Sequence, residues 1–157
     1  MYSGNVRGHA FRMRPDDSLM QTLKQSAETI FEEPEQQQAD GKSIAKSAFI
    51  MTAVGSLSSV TLRMANADAN NKDNEIKVFP DTKFEIVSMT GTFAPGRKCH
   101  VHISLSDSTG AVIGGHLIEG TIYTTAEIVL GSIEGVSFDR EMDKATGFME
   151  LVVRKSD

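Results

Sequence analysis

The first thirty residues change from an alternating pattern to a helical one. Phe11 and Met13 alternate with polar residues in a short stretch that ends before Pro15, which is typical of a strand. Asp16-Asp17-Ser18 then supplies acidic and capping side chains, so we expect a helix to begin there. Apolar side chains follow at steps of three and four: Leu19, Met20, Leu23, Ala27, Ile30 and Phe31. This stripe predicts an amphipathic helix that packs through one face.

Most of the remaining chain has the composition and alternation of strands. The predicted strands lie at 48–54, 60–64, 76–79, 84–93, 99–105, 111–117, 121–130 and 148–153. Gly55-Ser56 is interpreted as the break between the first two, and polar segments at 32–43 and 67–75 are predicted to be exposed loops. One helix followed by many strands with short connections indicates an α+β fold with a mostly antiparallel β-sheet.

The size of the chain allows it to fold as one unit. With 157 residues and 39% hydrophobic content, it can bury a core without disulfides or structural metals. Collagen-like, disordered and disulfide-scaffold classes are therefore excluded. No linker divides the chain, so we expect a single domain over 1–157. Cys99 is the only cysteine, which excludes an internal disulfide and favours a reducing compartment.

Charge and hydropathy limit the partners and the location. The net charge is -5, so contact with nucleic acid would need a local basic patch. The basic residues are dispersed and aromatic residues are few, so we do not expect direct sequence-specific DNA binding by this chain. There is no run of 18 apolar residues and no signal-peptide pattern, which predicts no membrane association. We expect a cytoplasmic protein, or a nuclear one if its source is eukaryotic.

Three of the four histidines fall close together in the sequence. Strand alternation places His100 and His102 on one face, about 6 to 7 Å apart. The residues at 108–110, Ser-Thr-Gly, can form a three-residue hairpin loop with glycine in the left-handed conformation. The resulting register sets His102 opposite His116 on the same face.

This grouping indicates a metal site. Three neutral imidazoles are a familiar ligand set for a divalent metal, zinc first, with a fourth position left for water, a carboxylate or a substrate. Gly114 and Gly115 carry no side chains, which suits a ligand close to the backbone. Cys99 lies on the other face and is interpreted as a small core residue. Spacing alone leaves a second interpretation open, in which the histidines line a solvated strand face and bind nothing.

The order and spacing of several motifs are more specific than any one of them. They are 55–63 (GSLSSVTLR), 84–93 (FEIVSMTGTF), and His100-Val101-His102 with Gly114-Gly115-His116-Leu117. Together they resemble the plants and prokaryotes conserved (PPC) domain, also called the PD1-like DNA-binding domain, over 11–153. The resemblance implies a fold distantly similar to that of α-acetolactate decarboxylase, a homotrimer, and a metal ion held by His100, His102 and His116.

The resemblance implies two classes of function. The first is a metal-binding homotrimer, with zinc as the expected ion, acting as a DNA-associated regulatory or ligand-binding module with a small-molecule ligand. In plant members DNA contact is made by a separate AT-hook, whose Arg-Gly-Arg-Pro core is absent here; Arg7-Gly8-His9 is the nearest approach. The alternative is a small metalloenzyme, a lyase or hydrolase, whose three-histidine metal polarises a carbonyl or activates water.

Two charged residues within the motifs have alternative roles. Glu85 is the candidate catalytic residue, as a fourth metal ligand or a general base. It alternates with Phe84 and Ile86, so it leaves the core face and could instead pair with Arg63 or a neighbouring protomer. Arg63 is expected to serve that pairing or an interface, and could also hold an anionic ligand.

Overall fold

The predicted amphipathic helix is α1, Leu19–Glu32, in a computed structural model that describes residues 1–32, 46–65 and 75–156. Its six buried side chains are those of the predicted stripe. Ser18 caps the helix, because its Oγ accepts a hydrogen bond from the Gln21 N–H at 3.3 Å. The helix prediction is therefore confirmed. No helix within these ranges combines the length and apolar character needed to cross a membrane.

Eight strands accompany the helix in the described ranges. In chain order they are β1 Val6–Met13, β2 Ala48–Arg63, β3 Ile76–Phe79, β4 Phe84–Ala94, β5 Lys98–Ser106, β6 Val112–Ile133, β7 Val136–Met142 and β8 Met149–Lys155. Their pairings are antiparallel, which confirms the α+β class. The loops predicted at 32–43 and 67–75 lie outside the described residues, except for Glu32, which ends α1, and Glu75.

The main sheet closes on itself around the core. Its six strands follow the order β1-β6-β5-β4-β2-β3, and β2 also pairs with β6. Because β2 pairs with both β4 and β6, strands β2, β4, β5 and β6 form a closed ring of hydrogen-bonded neighbours. Leu57, Leu105 and Ile122 are fully buried inside it, in one cluster with the apolar stripe of α1.

Strand β2 has no turn at Gly55-Ser56, so the predicted break was wrong. Gly55 has a φ of 145° and lies at a register shift in the pairing with β6. A Cβ added there would lie 2.2 Å from the carbonyl oxygen of Thr125. The glycine thus permits a bulge inside a continuous strand, which in sequence resembles a turn.

Strand β6 likewise joins two predicted strands, 111–117 and 121–130, into one. Gly120 lies between them, and a Cβ there would be 3.3 Å from Leu57 Cδ1 and 3.5 Å from Leu19 Cδ2. The glycine therefore gives room for α1 to pack against the sheet.

Strand β7 was not predicted. With β8 it forms a separate two-stranded sheet, which reaches the rest of the chain through a hydrogen bond from the Phe138 N–H to the Lys46 carbonyl at 2.9 Å. Phe138 is 8% exposed and clusters with Val136 and Ala94. The β7–β8 hairpin is thereby placed beside the outer face of β4.

Candidate metal centre

The β5–β6 hairpin carries all three histidines and sets two of them opposite each other. The Asp107 N–H donates to the Ala111 carbonyl at 3.0 Å, and Gly110 adopts the left-handed conformation with a φ of 82°. This is the predicted three-residue loop. The register that follows pairs His102 with His116, so the predicted register is confirmed.

The structure brings all three predicted histidines together. His100 and His102 flank the buried Val101 and so face the same side of β5. Their Nε2 atoms lie 3.0 Å apart, and ring nitrogens of His100, His102 and His116 all lie within 4.8 Å of one another. Zinc–nitrogen bonds of about 2.0–2.1 Å in a tetrahedron require nitrogens about 3.3 Å apart. Ring rotations would therefore bring the three nitrogens to the spacing of a three-imidazole ligand set.

The surroundings keep two of these rings uncharged. Desolvation, followed by the charge of Arg63, lowers the pKa of His116 to about 4. Desolvation, followed by the neighbouring His102, also lowers the pKa of His100. Because a metal binds the neutral ring, both side chains are competent ligands at neutral pH. Nδ1 of His116 is buried without a hydrogen-bond partner, and a metal ion bound at that nitrogen would satisfy it.

A cleft of about 530 Å³ opens beside His100 and His102. Thr92 and Thr90 form part of its lining and face those two histidines across the β4–β5 pairing. The remaining lining is largely apolar and includes Phe49, Ile133 and Phe138. A molecule in this cleft would reach the side of the cluster on which His102 is exposed.

Arg63 lies next to the cluster. It faces His116 across the β2–β6 pairing. Its Cζ lies 6.0 Å from the centre of the Phe148 ring, at the distance limit of a cation–π contact. Its Nε is buried without a hydrogen-bond partner.

Arg140 was missed by the sequence reasoning. It is 7% exposed, and its guanidinium donates to the Met149 carbonyl at 3.2 Å and to Thr92 Oγ1 at 2.9 Å. The signal lay in the alternation of Val136, Phe138 and Arg140, which places the arginine on the apolar face of a strand. The missed residue thus supports a threonine of the cleft.

Glu85 is not brought to the histidines. It faces Ser106 across the β4–β5 pairing, whereas His102 faces Thr90. Four residues along a strand separate Ser106 from His102, which is about 13 Å. Within the described part of the chain, Glu85 also makes no salt bridge with Arg63.

The two glycines near the cluster are crowded by the protein itself. A Cβ at Gly114 would lie 2.7 Å from the carbonyl oxygen of Ile103, and one at Gly115 would lie 2.8 Å from that of Arg63. Their role in the structure is therefore the close approach of β6 to β5 and β2.

Comparison with known proteins supports the family resemblance that the motifs indicated. The family model of the Plants and Prokaryotes Conserved (PCC) domain matches residues 41–134, a range that contains all three histidines. A curated relative, the bifunctional protein GlmU of Synechococcus sp. (strain JA-3-3Ab), is 34% identical over 154 residues, which are 98% of this chain and 21% of the relative. The chain thus spans about a fifth of the length of the curated relatives it matches.

Solved structures share the fold. A hypothetical protein from Salmonella cholerae-suis (Salmonella enterica) has a TM-score of 0.81 at 24% identity, covering 98% of this chain and 97% of that one. The metal-containing protein AF0104 of Archaeoglobus fulgidus has a TM-score of 0.73 at 22% identity, covering 97% and 98%. A provisionally named DNA-binding protein from Ralstonia eutropha has a TM-score of 0.72 at 23% identity, covering 91% and 89%.

Proposed function

This chain belongs to the Plants and Prokaryotes Conserved (PCC) domain family, and we propose that it binds a divalent metal ion, zinc first, on His100, His102 and His116. The observation that carries the proposal is the convergence of three ring nitrogens within 4.8 Å. A neighbour of the same fold is described as metal-containing, which supports it. The donor atoms also suit zinc, because neutral imidazoles are preferred zinc ligands.

The bound ion would make the chain a ligand-binding module. A metal ion held by three histidines keeps a further coordination position free. An oxygen atom of a bound molecule could occupy that position, where the ion would act as a Lewis acid. The chain's own residues would do the rest. Thr90 and Thr92 offer hydroxyl groups beside the histidines, and the apolar lining of the cleft would contact the remainder of the ligand.

Metal content is the direct test. Protein purified without an affinity tag, then stripped with a chelator and titrated with zinc, is expected to bind about one ion per chain. Elemental analysis of the untreated protein and calorimetry of the stripped protein measure the stoichiometry and the affinity. A folded protein that carries no metal and takes up no zinc, nickel, manganese or iron contradicts the proposal.

The family resemblance also implies a homotrimer, which we include in the proposal. Met51 and Val54 are each 52% exposed, and Val54 borders an apolar groove with Phe11 and Val129. A second exposed apolar stripe lies on β8, at Met149, Leu151 and Val153. Exposed apolar surface of this kind is typical of protein interfaces.

Light scattering coupled to gel filtration is expected to give about 51 kDa, three times the 17.1 kDa of one chain. The reason is that association would bury the exposed apolar stripes. A mass of one chain at micromolar concentration contradicts the trimer.

Duplex DNA is expected to bind only in the weak non-specific range, with a Kd of about 10⁻⁴ to 10⁻⁶ M near physiological salt. Several basic side chains are paired with carboxylates, which cancels their local charge. Lys98 Nζ lies 2.6 Å from Asp139 Oδ1, and Arg154 contacts both Asp139 and Glu141. Fluorescence anisotropy of a labelled duplex measures the affinity, and nanomolar, sequence-dependent binding contradicts this expectation.

A further inference from the structure

We propose that the three-histidine cluster takes a small organic oxyanion, a carboxylate or a phosphate ester. Its charged group would be held by the metal ion together with Arg63, which faces His116, and its uncharged part would extend into the cleft beside His100 and His102. The inference rests on the proposed metal site and adds the class of ligand. It is carried by two arginines with uncompensated charge and by the lining of the cleft.

The guanidinium of Arg63 has hydrogen-bond donors without acceptors among the described residues. Neither its Nε nor its Nη atoms donate a hydrogen bond to any described residue, and no carboxylate of those ranges lies within salt-bridge distance. Only its Nε is both buried and unsatisfied, so the Nη atoms remain accessible. A guanidinium presents a planar fork of N–H groups that matches the two oxygens of a carboxylate or phosphate.

Arg140 adds a second positive charge that lacks a counter-ion. The hydrogen bonds of its guanidinium go to two neutral acceptors, the Met149 carbonyl and the Thr92 hydroxyl, and its Nε is buried without a partner. Burying a guanidinium without an anion is costly. Because Arg140 is itself 7% exposed, it acts as a positioning residue through Thr92 and through its charge.

The charges around the histidines do not balance without a ligand. Glu150 is the carboxylate that acts on His100, and it accepts a hydrogen bond from Thr146 Oγ1 at 3.0 Å. Two guanidinium groups and one carboxylate give a net charge of +1 near the histidines, and a divalent ion would raise it to +3. A bound oxyanion offsets this charge at the position where it is most concentrated.

The positions of the two arginines bracket the cluster. Arg63 comes from β2 and faces His116, whereas Arg140 comes from β7 and bonds to Thr92, which faces His100. The apolar lining at Phe49, Ile133 and Phe138 would receive the uncharged part of the ligand. Aryl oxyanions are therefore favoured over inorganic ones.

Calorimetric titration of the zinc-loaded protein tests the inference. Benzoate and phenyl phosphate serve as the two oxyanion probes, and benzyl alcohol as the uncharged probe. We expect saturable binding of at least one oxyanion and a Kd at least about tenfold weaker for benzyl alcohol, since charged partners fix the ligand. The stronger of the two oxyanions identifies the charged group for which the site is built.

Variants of Arg63 separate the role of its charge from a role in folding. Arg63→Met is expected to weaken oxyanion binding at least about tenfold while zinc stoichiometry is unchanged, and Arg63→Lys to retain part of the affinity. Arg12→Met is the matched control, because Arg12 lies on β1 and bonds to Thr125. Thermal unfolding reports whether each variant folds.

The outcomes distinguish the two proposals. Zinc binding without saturable oxyanion binding overturns this inference alone, as does equal oxyanion binding by the wild type and Arg63→Met. Failure of the stripped wild type to bind zinc overturns both the metal site and the inference. Loss of oxyanion binding in Arg12→Met to the same degree as in Arg63→Met also overturns the role given to Arg63.

Discussion

Replacing His102 with alanine is expected to lower zinc affinity by at least about 100-fold and to remove nearly all metal from the purified chain. The variant deletes one of three converging ligands, whose ring nitrogens lie within 4.8 Å of one another. The two imidazoles that remain fall short of the three protein ligands of an open zinc site. His102 is exposed, so the substitution should leave the fold intact.

His9→Ala is the matched control for this prediction. His9 lies on β1, outside the cluster, with its Nε2 3.0 Å from Ser132 Oγ. Elemental analysis and zinc calorimetry on both variants, with circular dichroism to check folding, give the comparison. Retention of wild-type zinc affinity by a folded His102→Ala, or equal loss in both variants, is the contrary result.

Replacing Gly55 with alanine is expected to destabilise the fold by about 3 kcal/mol or more. The backbone there has a φ of 145°, which L side chains rarely adopt. The new Cβ would also lie 2.2 Å from the Thr125 carbonyl oxygen and 2.6 Å from Ala126 Cα. Because these are backbone atoms of β6, the longest pairing of the sheet must open to make room.

Gly96→Ala separates the two causes. Gly96 has a φ of 79° but nothing within 4 Å of an added Cβ, so it should cost only about 1 kcal/mol. The chain contains no tryptophan, so urea unfolding is followed by far-ultraviolet circular dichroism at equal chain concentration. Similar losses in both variants would show that crowding by β6 is not the larger effect.

The histidine cluster was predictable because its register depends on local turn chemistry. The Ser-Thr-Gly loop fixes which residues of β5 and β6 face each other, and alternation then fixes their faces. The apolar stripe of α1 was predictable for a similar reason, since the positions Leu19 and Phe31 share a face through helical spacing alone.

The remaining features depend on contacts between distant parts of the chain. The sequence indicates strand breaks at Gly55 and Gly120, because a glycine in a bulge or at a close packing contact has the same local pattern as a glycine in a turn. Arg140 approaches the site only because the β7–β8 hairpin packs beside β4, with Thr92 as the contact. Alternation with Val136 and Phe138 places Arg140 on an apolar face, but the sequence does not show which strand that face covers.

The three histidines belong to one hairpin, over residues 100–116, whereas ring closure pairs residues as distant as Phe49 and Gly131. Contacts between nearby residues form sooner, because their loop-closure entropy is smaller. We therefore expect the three histidines to come together before β2 pairs with β6. If the proposed metal ion binds, it could therefore bind this early hairpin and bias the later assembly of the sheet, which would give the ion an effect on the folding pathway as well as on the finished site.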